Sequence, residues 1–212
     1  ENRPKAQGWR FTGSSRDVIK DVSGSLIYFP ADSTWYGTIP QLEPGRGYRL
    51  RRANAGTLTY VNGGSSAPRA KGTIMHQASV TGSSYQVDGS QYAYSMTVAA
   101  SLAIGNGIAG GPHDMILAYA GSELRGAAAF VSVGSLGQYR DIITIHSNSI
   151  AGETITFRLA TDSSVTTQAL TTDAPVSFSA DTVLGSIDAP VIVRYSGVTE
   201  VYDRTRGLPI AF

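Results

Sequence analysis

Cysteine is absent from the sequence, which removes disulfides, thiolate nucleophiles and Cys-ligated zinc together. It also removes the usual cue for an oxidising compartment, so location has to be argued from other features. Charge is sparse, with 16% of residues Asp, Glu, Lys or Arg, against roughly 25% in an average soluble domain. The 17 basic side chains are offset by 16 acidic ones, a balance that excludes a nucleic-acid binder working through a basic field. No apolar run approaches the roughly 20 residues of a membrane helix, so membrane insertion is not expected. Histidine is confined to His76, His113 and His146. The chain opens on Glu1 rather than Met, which suggests a processed chain or a piece of a longer one.

What is present favours strands. At 212 residues and 42% hydrophobic, the chain can bury a core of one large or two small domains. Helix signals are poor; apolar residues alternate, or form short β-branched runs between Gly, Ser, Asn and Asp clusters. Strands are predicted at Ser25–Phe29, Gly47–Arg51, Thr57–Val61, Tyr92–Ala100, Met115–Tyr119, Arg125–Ser132, Tyr139–His146, Thr154–Ala160 and Val191–Tyr195. Tyr92, Tyr94, Met96, Val98 and Ala100 share one side, the period-2 pattern of a sheet with one buried face. Ser15–Val22 places Val18, Ile19 and Val22 together and reads either as two helical turns or as an irregular lead-in.

These patterns predict an all-β chain of two antiparallel β-sandwich-like domains joined by a Gly/Ser/Pro linker. The linker is Asn62–Lys71, where glycine and serine loosen the chain and Pro68 blocks a sheet. Residues 1–62 form a small β module, 72–195 a larger sandwich and 196–212 a C-terminal extension. A unit of some 60 residues without disulfides is marginal alone. It is expected to pack on the second unit or borrow a strand.

The runs Trp35-Tyr36-Gly37-Thr38-Ile39, Leu42–Leu50 and Ala55–Tyr60 form an ordered set. It resembles a W-x-G…L-x-P-G-x-G-Y…G-T-L-T module of large secreted and cell-surface proteins of Bacteroidetes-like bacteria. The segments Tyr94–Val98, Asp114–Tyr119, Glu123–Gly126 and Gly152–Phe157 resemble the β-domain that often follows it. Together the resemblance spans about Val18–Tyr60 and Ser84–Val193. It implies a β-rich accessory role outside the cell and carries over no catalytic residues. Only Gly8-Trp9-Arg10-Phe11 stands where the family has a longer opening strand, which would leave a sheet edge open. Independently, Pro44 and the glycines of Leu42–Leu50 suit a tight turn with positive φ, sending Tyr48 and Leu50 into the core.

Catalytic constellations are weak. His113 and Asp114 could join a serine only without the strand–elbow–helix setting such sites need. Asp114, Glu123, Asp141 and Glu153 are the carboxylates able to face one another, but Glu123 and Arg125 are two apart, the spacing for a same-side ion pair. His146, in a strand with Ile143 and Ile145, is expected to be exposed or hydrogen-bonded. No cofactor is implied; Asn106, Asp114 and Asn148 are loop oxygen ligands of the kind calcium takes. A sugar face would stack on Trp35, Tyr36, Tyr85, Tyr92 or Tyr139. The tail carries Val198, Val201, Tyr202, Leu208, Ile210 and Phe212, a strand able to fill an open edge in its own chain or a neighbouring copy.

The function expected is non-catalytic: an extracellular or cell-surface structural, adhesion or assembly module of a bacterial protein, polymerising by strand addition. Its partners would be copies of itself or neighbouring domains, with no nucleic acid and no membrane insertion. The alternative is a carbohydrate-binding accessory domain of a polysaccharide-degrading system, with a glycan as partner.

Overall fold

The computed structural model describes residues 14, 16–43, 45–55, 85–105, 107, 110–161 and 167–195, and the backbone alone at 9–10, 59–60, 73–76, 108–109, 202–203 and 208–209. The first part of the chain holds β1 (Trp9–Arg10), β2 (Val18–Lys20), β3 (Ser25–Phe29), β4 (Thr34–Gly37), β5 (Arg49–Arg51), β6 (Thr59–Tyr60) and β7 (Thr73–His76). Then come β8 (Tyr94–Ile104), β9 (Gly107–Ala109), β10 (Asp114–Ala120), β11 (Glu123–Ala129), β12 (Val131–Val133) and β13 (Gln138–Ser147). The last are β14 (Ala151–Thr161), β15 (Gln168–Thr172), β16 (Val176–Ser179), β17 (Val183–Leu184), β18 (Val191–Tyr195), β19 (Tyr202–Asp203) and β20 (Leu208–Pro209). The fold is all-β and mostly antiparallel, as the sequence predicts. Its parallel pairs are β4 with β7 and β8 with both β17 and β18.

A five-stranded sheet runs β5-β2-β3-β4-β7. Its last strand therefore comes from beyond Asn62–Lys71. Of the stretch Ser15–Val22, Ser15 lies outside the described residues, and Val18–Lys20 is a strand between β3 and β5 rather than part of two helical turns or an irregular lead-in. The β-branched pair Val18-Ile19 suits that setting, because the sheet is covered on both sides and alternate residues are buried in different clusters. Ile19 and Leu26 pack with Ile39, Trp35, Leu42, Tyr48 and Leu50 on one side. Val18, Ile27, Phe29 and Tyr36 face the other. Tyr48 and Leu50 thus reach the core as expected. Of the turn glycines, Gly45 takes positive φ (84°) and the Tyr48 hydroxyl accepts the Glu43 N–H at 2.7 Å.

An eleven-stranded sheet follows the path β11-β10-β14-β15-β18-β8-β13-β12, with β9 and β17 on β8 and β16 on β14. It rolls around one interior. Every long strand sends alternate residues into the same cluster: Met96, Val98, Ala100 and Leu102 from β8, Ile143 and Ile145 from β13, Ile116 and Ala118 from β10, and Ile155, Phe157 and Leu159 from β14. One end of the path, β11, meets β13, the strand beside the other end. A Cβ on Gly126 of β11 would stand 2.5 Å from the Thr144 carbonyl of β13, so the two backbones run in contact. The predicted strand Arg125–Ser132 is divided at Phe130, where β11 ends and β12 pairs with the start of β13. We call this rolled sheet the barrel.

The β8 pattern departs from the expected single buried face. Thr97, Ala99 and Ser101 on the opposite side are fully buried too. The five-stranded sheet covers them: Val18, Ile27, Phe29 and Tyr36 pack with Ala99, Val131, Val133, Ile142 and Ile187. Each such side chain, once buried, contributes about 2 kcal/mol. No helix among the described residues is long and apolar enough to cross a membrane.

Candidate functional site

Polar side chains gather at two places: one end of the barrel, and the joint between the barrel and the five-stranded sheet. At the barrel end the organiser is Arg125 on β11. Its Nη2 donates to Glu153 Oε1 at 2.9 Å and lies 3.2 Å from Glu123 Oε2. Its Nη1 donates to the His146 carbonyl at 3.2 Å, and the guanidinium stands 5.2 Å from the Tyr92 ring centre. The Tyr92 hydroxyl donates to Glu123 Oε1 at 2.7 Å, a bond that pushes the phenol above its usual pKa. The Ser147 hydroxyl bonds to Glu153, and Ser147 Oγ accepts the Ser149 N–H at 2.8 Å. The Glu123–Arg125 spacing produces the same-side ion pair that the sequence predicts.

Both carboxylates of this cluster are engaged, while Arg125 Nε is buried without a hydrogen-bond partner. One guanidinium engages both carboxylates, tying β11 to β14. Asp141 is buried in the barrel interior, accepting the Ile116 N–H at 3.1 Å, and Asp114 is buried at the start of β10. His113 is exposed in the turn just before Asp114.

The joint is built by β-strand alternation. Val18 and Lys20 of β2, Ser25 of β3, Ser95 and Thr97 of β8, and Arg140, Thr144 and His146 of β13 all fall on the facing sides. The hydroxyls of Ser25 and Thr144 are 2.8 Å apart, fully enclosed. Lys20 Nζ donates to the Ser95 carbonyl at 3.1 Å. Arg140 Nε donates to the Ile187 carbonyl at 2.8 Å and Nη2 to Gln138 Oε1 at 2.8 Å. His146, expected to be exposed or hydrogen-bonded, is 5% exposed. A Cβ on Gly89 would lie 2.6 Å from its Cε1, so glycine at that position lets the chain close over the ring.

Lys20, Arg140 and His146 are thus three basic groups buried in one joint, and none pairs with a carboxylate among the described residues. Burial pulls the Lys20 amine down to about 8; Asp181 partly opposes this, while Arg49 and Arg51 add to it. Burial likewise lowers His146 to about 4, helped by the Lys20 charge and opposed by Asp88. Arg140 is lowered by burial, against Asp188. No sequence pattern announced these residues. Lys20 sits in Val-Ile-Lys-Asp, where a lysine beside a turn reads as solvent-facing.

The five aromatic candidates are distributed rather than assembled. Trp35 packs on the outer side of the five-stranded sheet with the Tyr28 ring 5.1 Å away; Tyr36 is 3% exposed on its joint side. Tyr85 lies against Met115 and Leu117 outside the barrel, and Tyr139 against the interior cluster. Tyr92 belongs to the Arg125 cluster.

Of the oxygen ligands, Asp114 pairs with Thr161 at one end of β14, while Asn148 precedes its other end. The amide of Asn148 accepts the Ala93 N–H at 2.9 Å and donates to the Gln91 carbonyl. Asn106 lies outside the described residues, among which no group of three His, Asp or Glu could hold a metal. In the tail, Tyr202 and Leu208 fall in the β19–β20 hairpin, which pairs with itself. Val198, Val201, Ile210 and Phe212 lie outside the described residues.

No family model, curated protein or solved structure matches this chain.

Proposed function

We propose that the chain is a non-catalytic structural module of a bacterial surface or secreted protein, working outside the cell by adhesion or assembly with copies of itself or with neighbouring domains. The observation that carries this reading is the engagement of the chemically capable groups in holding strands together. Arg125 ties Glu123, Glu153 and the β13 backbone into one unit, and Tyr92 and Ser147 complete it. The composition supports the same reading: sparse, balanced charge and a β-rich fold that leaves its small sheet with two distinct edges, β5 and β7.

Light scattering tests the reading on the full chain and on one ending after Tyr195, which keeps β18 whole. Concentration-dependent assemblies that vanish on truncation support strand-mediated assembly through the tail. Folded monomers in both cases, with affinity for a glycan that Trp35→Ala or Tyr92→Phe removes, would replace it with the carbohydrate-binding reading.

A further inference from the structure

The joint between the five-stranded sheet and the barrel combines features that favour release. It has no backbone ladder: β5-β2-β3-β4-β7 and the barrel are separate sheets. Its polar links run through side chains: Ser25 to Thr144, Lys20 to the Ser95 carbonyl, Asp32 to Ser135 and Tyr36 to the Gly134 backbone, with Arg49 (2.7 Å) and Arg51 to Asp181 on the exposed rim. It buries an ammonium with no carboxylate paired to it, a group that burial in water-free surroundings penalises. Thr97 Oγ1 is buried there without a hydrogen-bond partner, a further cost of staying closed. The covalent link from His76 at the end of β7 to Tyr85, where the chain is packed on the barrel, reaches ~30 Å at full extension, about three times the ~10 Å spacing of packed sheets.

We propose that this joint is an exchange interface, through which the five-stranded sheet of one copy docks on the barrel of another, and that Lys20 keeps it weak enough to open. The occupant is a second copy because the barrel face formed by Ala99, Val131, Val133, Ile142 and Ile187 already fits this sheet and its Ser25 hydroxyl. An identical sheet from a neighbour makes the same contacts, and only the connection differs. The inference rests on the assembly reading and moves its contact surface from the tail to the joint. Lys20 is its determinant because charged Lys20 faces Arg49, Arg51 and His146 with Asp181 as the opposing charge.

The absence of native cysteine makes the test direct. Full-length Ser25→Cys and Thr144→Cys chains are mixed at high concentration, incubated and mildly oxidised. Exchange gives a mixed disulfide dimer, one Ser25→Cys chain joined to one Thr144→Cys chain, in excess over either like-with-like dimer. Adding Lys20→Met to both chains should slow its formation about tenfold, because opening the joint no longer relieves a buried charge, while the final yield stays the same, the exchanged joint being identical. If the buried pair disturbs folding, the exposed rim pair Arg49→Cys and Asp181→Cys is used instead. Chains that stay monomeric with protected thiols overturn the proposal, and so does a Lys20→Met exchange rate that is unchanged or higher. Light scattering on the same mixtures separates the two ideas. Large assemblies without mixed disulfides sink the exchange and leave assembly standing; monomers throughout sink both.

Discussion

The hydroxyls of Ser25 and Thr144 meet at 2.8 Å across 119 residues of sequence, buried between two sheets that share no backbone ladder. Removing one partner strands the other in a dry environment, whereas removing both removes the need for the bond. Ser25→Ala should therefore cost about 1–2 kcal/mol, and the double variant with Thr144→Val clearly less than the sum of the singles. A double-mutant cycle from urea unfolding measures the difference. Additive losses would mean the two groups do not depend on each other.

Acid should weaken the fold through His146. Its ordinary pKa of 6.5 applies to the unfolded chain, and burial lowers it to about 4 in the native state. Between these values the unfolded chain binds a proton that the native chain does not. Stability is then full above pH 6.5 and falls as pH drops towards 4, by about 3 kcal/mol in all. His146→Gln should remove this component, leaving a shallower slope from pH 6.5 to 5 in urea midpoints. Equal slopes for both chains would show that the ring is not held neutral.

Lys20 should act in the alkaline range with the same sign. Its native value of about 8 lies below 10.5, so the unfolded chain again binds more protons between them. Wild-type stability is expected to rise as pH climbs from 8 to 10.5, and Lys20→Met to be more stable than wild type at pH 7 with no such rise. A rise of equal size in the variant would point to other lysines.

At the barrel end, Arg125→Ala leaves Glu123 and Glu153 facing each other without their cation. We expect a loss of about 2 kcal/mol, because the guanidinium is only 11% exposed and its hydrogen bonds to Glu153 and the His146 carbonyl are lost, while Glu123, 56% exposed, stays solvated. Arg125→Lys should recover only part, since one ammonium cannot replace the forked contacts to Glu153 and the His146 carbonyl. Thermal unfolding of the three chains checks the order.

Gly126→Ala should be among the most damaging single-methyl changes. The added carbon would stand 2.5 Å from the Thr144 carbonyl and push β11 off β13. Gly121, at φ 59° in open space, provides the contrast: Gly121→Ala is expected to cost about 1 kcal/mol from backbone strain alone. Circular dichroism melts of the pair distinguish crowding from dihedral strain.

Much of the fold is readable from alternation. Ser25–Phe29 and Val191–Tyr195 are strands end to end, and Thr154–Ala160 shows Ile155, Phe157 and Leu159 inward with Thr156 and Arg158 outward. Alternation fails where a second sheet covers the other face. Thr97 and Ser101 look solvent-facing by type, yet the five-stranded sheet lies over that side of β8. Val18–Lys20 is ambiguous because a three-residue strand is too short to separate a period of 2 from one of 3.6. Thr73–His76 escapes a strand reading because its parallel pairing with the distant Thr34–Gly37 leaves no turn signal between them, and Thr34–Gly37, which hairpins with β3, is only four residues long. The Arg125 cluster is partly visible in Glu-Leu-Arg; the joint is not, since Lys20 and His146 acquire meaning only when β2 is laid on β13.

Rolling the large sheet until β11 meets β13 also gives the molecule a direction. Further strands can add at the ends of the five-stranded sheet. Those ends are unlike: β5 is bordered by Arg49 and Arg51 and pairs antiparallel, whereas β7 pairs parallel to β4. Two unlike ends cannot dock on each other through a two-fold axis that joins the same surface to itself. Growth linking β5 of one copy to β7 of the next would therefore run head to tail, and unless the rotation per step closed it into a ring, the product would be an open chain with two chemically different tips.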